Sequence, residues 1–396
     1  MIGLPQFALF GGKPLFAQAK PTGNLYRPNI ERFLGYSRLF YRNKRYTDEG
    51  DLCRMLERRL AEFHAVERVA CANSGFWGHV LTMSALALPG RSEIIAPAFG
   101  YRRTDDMIAW AGYVPHFCDV DPETLAVGVN TVKAALNERT ALILAAHPMV
   151  NCCDAQGIED LGREYGIPVV FDSVEAAYRA YNGRRIGGFG DAEVFSMHST
   201  KLLNAFEGGY VTTNNTNLAK RLDGIKRYAS ADMRAAEDDK PLDMALNEMH
   251  AAMALASLDE VDEQVVLHRR KYDCYVAGLL DIDGLKIVEH KESERPDYRL
   301  IVVRIGDAWP LSRDRTLRLL EAENILARPY YTPLNHRSAE YYRVCPDLPV
   351  TEAIFRDFIV LPSGTHVSEE DIGKIIDILT IIGLNGSELN SCWKTE

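Results

Sequence analysis

Between residues 51 and 215, short apolar runs bounded by turn residues alternate with amphipathic stretches of helical period, and that alternation leaves few folds open. Asp51 to Val66 places Leu52, Met55, Leu56, Leu60 and Phe63 on one helical face. Val69 to Ala72 then reads as a strand and Gly78 to Leu88 as a helix. A strand at 93–96, a helix at 104–111 and a strand at 141–146 follow. A helix at 158–165 and strands at 167–171, 192–195 and 210–213 complete the series. Strands this uniformly apolar are buried on both faces, which predicts an α/β fold with a mostly parallel sheet covered by helices. After about residue 260 the texture changes. Helices at 265–280, 313–323 and 369–382, with a strand at 298–305, read as a smaller α+β C-terminal domain. The expected division is an N-terminal arm over 1–50, a large domain over 51–262 and a small domain over 263–396.

Charge and cysteine usage narrow the function classes. A formal net charge of −10 argues against a nucleic-acid partner, which calls for a basic patch. No stretch approaches the roughly 20 apolar residues of a membrane span, and Met1 to Lys20 lacks the pattern of a secretory signal. Eight cysteines, none in a Cys-x-x-Cys pair, are too sparse for a disulfide scaffold or a structural zinc site. The expectation is a cytoplasmic protein with a small-molecule substrate and no metal.

Open α/β sheets bind ligands beyond the carboxyl ends of their strands, so the residues after each strand carry the chemical question. Asn73-Ser74-Gly75-Phe76-Trp77-Gly78 is a small-residue turn opening a helix, and free N–H groups there suit a phosphate. Taken alone it is also an ordinary capped turn. Pro97-Ala98-Phe99-Gly100-Tyr101 brings aromatics to the same edge, either for stacking or for the core. His147 has a satisfied core histidine as its default reading. Asp172 ends a buried strand, where a carboxylate needs a cation or hydrogen bonds; a protonated pyridine nitrogen or a helix N-terminus would each provide them. Lys201 follows another buried strand through Ser196-Met-His-Ser-Thr, ahead of Glu207-Gly208-Gly209. A lysine for a Schiff base, an acid for a ring nitrogen, a phosphate cradle and a flat side chain are together what pyridoxal phosphate requires. The outside alternative, a Rossmann dehydrogenase, lacks its Gly-x-Gly-x-x-Gly, and Gly187-Gly188-Phe189-Gly190 has the wrong spacing.

Phe195-Ser-Met-His-Ser-Thr-Lys201, followed by Phe206-Glu-Gly-Gly209, resembles the lysine motif of the DegT/DnrJ/EryC1/StrS family, pyridoxal-phosphate aminotransferases of the aspartate-aminotransferase fold (fold type I). The resemblance extends over most of the chain. It takes in Gly11-Gly-Lys-Pro14, Asn73-Ser-Gly75, Asp119-Val-Asp121, Asn151-Cys-Cys-Asp154, Gly166-Ile-Pro-Val-Val-Phe-Asp172, Arg328-Pro-Tyr330 and Leu361-Pro362. It implies that Lys201 bonds to the cofactor and then moves the proton at the reacting carbon. It also implies that Asp172 holds the pyridine nitrogen protonated, that Gly75 and Phe76 offer N–H groups to the phosphate and Ser196 its hydroxyl, and that Tyr101 stacks on the ring. The family works as a homodimer with active sites at the interface. An aminotransferase passing nitrogen from glutamate or glutamine to a keto-sugar, cyclitol or similar ketone in natural-product biosynthesis is therefore implied.

Three departures stand out. Glu175 occupies a position where the family usually has glutamine or histidine, and a carboxylate near the cofactor's phenolate oxygen would be repulsive unless protonated. The family's Asn-x-Arg segment, contributed by the neighbouring subunit, falls at Asp243 and Ala245. Phe76 replaces a frequent threonine. These changes motivate a second expectation, a decarboxylating, deaminating or β-eliminating enzyme using the same cofactor on an amino-acid-derived intermediate; a cofactor-binding regulator is a third. For the substrate, Arg328 and Tyr330 are the leading candidates, with Arg102, Arg103, Tyr331 and His336 behind them; a guanidinium suits a carboxylate.

Overall fold

The computed structural model describes residues 7–47, 50–226, 243–332 and 347–393. His336 lies outside the described residues, as do parts of the N-terminal arm. A seven-stranded sheet forms the larger layer. Its strands are β1 (Arg68–Ala72), β2 (Glu93–Pro97), β3 (Val114–Cys118), β4 (Thr140–Ala146), β5 (Val169–Asp172), β6 (Ala192–Ser196) and β7 (Gly209–Thr213). They lie in the order β1-β7-β6-β5-β4-β2-β3, and β7 alone runs antiparallel to its neighbours. Side chains alternate between two cores: Ile143 and Ala145 of β4 enter one, Leu142 and Leu144 the other. Both faces are thus dry, which is why the strands read as continuous apolar runs.

Helices α1 (Ile30–Asn43), α2 (Asp51–His64), α3 (Gly75–Leu86), α4 (Thr104–Trp110), α5 (Val129–Ala135), α6 (Ala155–Tyr165), α7 (Thr216–Lys226) and α8 (Glu248–Asp259) accompany this sheet. Helix α3 starts at Gly75, three residues before the periodicity predicts, because Ser74 caps it by accepting the N–H of Trp77 at 3.2 Å. The strand β3 and the helices α1, α5, α7 and α8 are absent from the sequence reading; β3 carries a proline and a histidine, which mask its pattern.

Helix α9 (Val261–Leu279) leads to a four-stranded antiparallel sheet, β8 (Leu285–Ile287), β9 (Ile301–Ile305), β10 (Arg328–Pro329) and β11 (Phe358–Leu361), in the order β8-β9-β11-β10. Helices α10 (Arg313–Ala322), α11 (Pro349–Ile354) and α12 (Glu369–Leu384) belong to this half of the chain. Phe7 and Phe16 from the N-terminal segment pack into the same core as Tyr275, Ile301 and Ile375. The strand expected from Tyr298 begins only at Ile301. Tyr298 sits at φ 54°, left-handed backbone that a strand cannot continue through. No helix among the described residues is long and apolar enough to cross a membrane, and none of their histidine, cysteine and acidic side chains are grouped to hold a metal.

Among the buried histidines of the described residues, His64, His147, His268 and His290 are held neutral. Burial lowers His64 and His147 to about 3, and His268 and His290 to about 4. His147 matches its default reading: its ring stacks on Phe171, and its Nδ1 accepts the N–H of Cys153 at 3.3 Å. Each lowered histidine contributes stability that is present above the unfolded value of about 6.5 and lost as pH falls, at ~1.4 kcal/mol per pH unit. Glu193 acts oppositely. Burial raises it to about 7 despite donors at Ser173, Phe189 and Gly187, so its contribution is present at low pH and lost as pH rises through 7. Calorimetry should therefore show Tm dropping as pH falls from about 6.5 to 4. Glu193→Gln should raise Tm above pH 7 and leave the acid limb unchanged.

Candidate active site

The carboxyl ends of β5 and β6 and the start of α3 enclose a cavity of about 600 Å³. Gly75, Phe76, Tyr101, Asp172, Ser196 and Lys201 all line it. One wall is a backbone cradle. Ser74 takes the Trp77 N–H and its carbonyl takes that of Gly78, which leaves the first N–H groups of α3, those of Gly75 and Phe76, without an intrahelical partner. Ser196 Oγ accepts the His198 N–H at 3.3 Å and keeps its own proton to donate. Neutral donors at a helix start attract a dianion.

The glycines that trail the lysine motif explain themselves here. A Cβ on Gly209 would sit 2.5 Å from the Ser74 carbonyl carbon and 2.7 Å from Gly75 Cα, so β7 can begin against the cradle only without a side chain. On Gly208 a Cβ would crowd Met197 and Leu246 at 3.2 Å. Gly209→Ala should push the cradle apart, cost ~1–3 kcal/mol of stability and weaken phosphate-dependent cofactor binding in a titration. Gly373→Ala on α12, where nothing lies within 4 Å, is the control expected to leave both unchanged.

The lysine loop folds on itself. Lys201 N bonds to His198 O at 2.9 Å, Ser199 N to Phe206 O at 3.1 Å and Met197 N to Gly208 O at 2.8 Å. His198 Nδ1 meets Thr200 Oγ1 at 2.8 Å, and its Nε2 faces Glu207 at 3.5 Å. This ties the turn down and sends Lys201 into the cavity, where Nζ donates to Glu175 Oε1.

Glu175 has a second cation that the sequence does not announce. Arg299, 3% exposed, donates from Nη2 to Glu175 Oε2. Burial pushes the Glu175 carboxyl up, but Lys201 and Arg299 outweigh it and hold the group well below the usual carboxylate range. Glu175 is therefore ionised and flanked by two positive charges, rather than a bare anion that would need a proton to sit near an anionic oxygen. The electrostatic penalty expected from the sequence is corrected by a residue 98 positions beyond Lys201.

Across the cavity Asp172 is 8% exposed, with Oδ1 accepting the Val174 N–H at 3.2 Å. His79 Nε2 stands 3.7 Å from Asp172 Oδ2. Its Nδ1 donates to Gly75 O at 2.8 Å, which fixes the ring, and its Nε2 has no hydrogen-bond partner. His79 was missed from the sequence. Its one signal is its place a helical turn after Gly75, on the same face of α3.

The rim is aromatic and cationic. Tyr101 is 41% exposed, the Arg103 guanidinium lies 4.4 Å over the Phe76 ring, and Trp77 meets Trp110 edge-on at 5.6 Å. Arg103, Trp77 and Trp110 line the cavity; Arg102 does not. Tyr330 and Arg328 depart from expectation. Tyr330 is 1% exposed, stacks on Phe99 and accepts the Met149 N–H at 2.6 Å, a core tyrosine with its hydroxyl already used. Arg328 points at Thr22 Oγ1 (3.2 Å), the Tyr330 carbonyl and Met149 Sδ, outside the cavity lining. Both belong to β10 and its end, whose backbone pairs into the C-terminal sheet. Of the segment expected to reach a neighbouring subunit, Met244 O accepts the Asn73 N–H at 2.7 Å, while Asp243 is exposed and Ala245 half-buried.

The site suits pyridoxal phosphate by its own chemistry. The Gly75–Gly209 approach leaves a cradle that a single Cβ would fill, Asp172 presents its carboxyl group on one side, and among the described residues Lys201 brings the one amine that lines the cavity.

Comparison with known proteins agrees. The DegT/DnrJ/EryC1/StrS aminotransferase family matches residues 30–380. A dTDP-4-amino-4,6-dideoxy-D-glucose transaminase of Shigella dysenteriae is 27% identical over 358 residues, covering 89% of this chain and 96% of that protein. An L-glutamine:2-deoxy-scyllo-inosose aminotransferase of Streptomyces fradiae is 31% identical over 248 residues, 59% of this chain and 57% of that one. A crystal structure of DesI with its TDP-sugar product superposes with a TM-score of 0.93 at 30% identity, over 98% of this chain and 99% of that one. This chain belongs to the DegT/DnrJ/EryC1/StrS family and is a pyridoxal-phosphate-dependent aminotransferase.

Proposed function

We propose that this enzyme transfers an amino group from glutamate or glutamine to the ketone of a nucleotide-linked keto-sugar in natural-product biosynthesis. The observation that carries the reading is the meeting of Lys201 and Asp172 across one cavity whose wall is the free start of α3. Pyridoxal phosphate bound there supplies an electron sink for charge developing at the carbon that bears the nitrogen. Gly75, Phe76 and Ser196 would hold its phosphate, Asp172 would accept a hydrogen bond from its protonated ring nitrogen, and Tyr101 would cover the ring. Lys201 carries the proton at the reacting carbon, with Glu175 as the hydrogen-bond acceptor that orients its Nζ.

The rim supports the nucleotide. Phe76, Trp77 and Trp110 offer flat surfaces to a base, and Arg103 beside them a cation for a diphosphate. Relatives named for dTDP- and GDP-linked amino sugars fit such a rim; a free cyclitol, as in the Streptomyces fradiae enzyme, would leave it unused. Decarboxylation or elimination loses the part of its motive that rested on Glu175, because that charge is neutralised on both sides; the departures at Asp243, Ala245 and Phe76 stand.

A second copy of the chain is part of the reading. Phe33, Leu34, Tyr41 and Met249 form an apolar groove on α1 and α8, with Tyr41 well exposed. It adjoins the site through Phe33 on Phe206, the residue before the cavity-lining Glu207. A Tyr41→Glu variant should shift the mass by light scattering from dimer to monomer.

The function is tested by giving the cofactor-loaded protein glutamate or glutamine without an acceptor, then a 4-keto sugar on dTDP or GDP and, separately, 2-deoxy-scyllo-inosose. Bleaching of the visible band by a donor and its return with a nucleotide sugar support the proposal. Return only with the cyclitol overturns the substrate, and a band unchanged by either donor overturns transamination from these donors.

A further inference from the structure

The buried charges behind Lys201 form a chain that runs beyond Glu175 to Arg299. Glu175 joins Lys201 to Arg299, and Arg299 also reaches the Thr200 carbonyl from Nη1 at 3.3 Å. Arg299 comes from the segment between β8 and β9, just before β9 begins. There the left-handed Tyr298 breaks the strand, Asp297 Oδ1 accepts the Arg299 N–H at 3.0 Å, and Ser363 Oγ donates to the Arg299 carbonyl at 2.6 Å. The backbone at Arg299 is thus fixed at both its N–H and its carbonyl, and its guanidinium is delivered from the C-terminal half of the chain onto the lysine loop.

We propose that Arg299 is a positioning residue for Lys201: it clamps the Glu175 carboxylate against Nζ and offsets that carboxylate's charge, so that a glutamate serves where the sequence alone suggests repulsion. The inference rests on Lys201 being the lysine that holds the cofactor. Because two oxygens of one carboxylate are engaged by two cations, Glu175 cannot rotate away from Lys201 without breaking a buried ion pair. The local field at Nζ is then set by a balanced pair rather than by a lone anion.

Few other groups near this pair change charge around neutrality. Tyr330 and Tyr331 face Glu175 from the end of β10, and burial raises both far above their usual range. His268 faces Arg299 from α9 and is lowered to about 4 by burial, with Lys271 one turn further along. Asp297, countered by Arg299 and Arg179, and Asp172 with its neighbour His79 complete the surroundings.

The test is the pH midpoint of the visible absorption band of the cofactor-loaded protein, read alongside kcat and KM. Glu175→Gln leaves Arg299 unopposed and disfavours a proton on the lysine nitrogen, so the midpoint should move to lower pH by about one unit or more. Arg299→Met leaves Glu175 unopposed and should move it to higher pH by a similar amount. The double variant, which removes both charges and avoids a broken buried pair, should return to within about half a unit of the wild type, and Arg299→Lys should hold there too. For Arg299→Met, kcat should fall about tenfold with KM for the donor little changed.

Single variants that bind cofactor yet shift the midpoint in the same direction, or not at all, overturn the proposal. If Arg299→Met does not fold, the wild type, Glu175→Gln and the double variant decide by the same rule. A wild type with no visible band, or a band that survives Lys201→Ala, instead sinks the assignment of Lys201.

Discussion

Lys201→Ala should abolish turnover, by about a thousandfold or more, and remove the visible band of the bound cofactor while the fold survives. Among the described residues, Lys201 holds the one amine that lines the cavity, so no neighbour can take over the bond. Stability should persist because Glu175 keeps Arg299 as its partner after the lysine is gone, and a buried carboxylate with one cation remains ionised and hydrogen-bonded. Kinetics with both substrates, a visible spectrum and a thermal melt are the measurements. Retained activity within tenfold of wild type would remove Lys201 from the chemistry. A collapsed Tm would mean that Nζ is a structural member of the buried chain, and Lys201→Arg would then be the variant that separates the two roles.

Asp172→Asn is the second large effect, expected to cut the rate of the donor half-reaction by about 10²–10⁴-fold. The amide keeps the shape and can still accept the Val174 N–H, so the end of β5 should stay in place. What disappears is the negative charge. A neutral group cannot hold a proton on a pyridine nitrogen, and without that proton the ring is a poor electron sink. The expected signature is normal phosphate-dependent binding of the cofactor with slow chemistry, read by titration and by single-turnover mixing with glutamate. A rate within tenfold of wild type would show that Asp172 is only the cap of its turn.

These two residues were legible because Asp172 ends, and Lys201 closely follows, strands that announce themselves. A doubly buried parallel strand is an uninterrupted apolar run, and the first polar residue beyond it lies at the edge where open α/β sheets bind ligands. Asp172 and Lys201, the small-residue turn at Gly75 and the aromatic at Tyr101 were all found that way, and one cavity collects them. The alternation of strands and helices, the change of texture near residue 260 and the Gly208-Gly209 pair are likewise local features whose physical cause acts over a few residues.

The rest was decided by residues remote in the chain. His79 joins the site because α3 returns across β5 and β6. Tyr330 and Arg328 leave it because β10 pairs with β11 and spends their polar groups elsewhere. The charge state of Glu175 is the clearest case. By its position in the sequence it is a carboxylate near an expected anion. In the structure it is ionised and neutralised, because Arg299 arrives from the segment just before β9 with its backbone pinned by Asp297 and Ser363. By itself the sequence determined six of the sheet's seven strands, its candidate site edge and the lysine and aspartate near it, since periodicity and strand ends are local properties. Only the tertiary structure decided the electrostatics of that edge, because the energy of a buried charge depends on what fills the space around it, and chain neighbours do not specify those occupants.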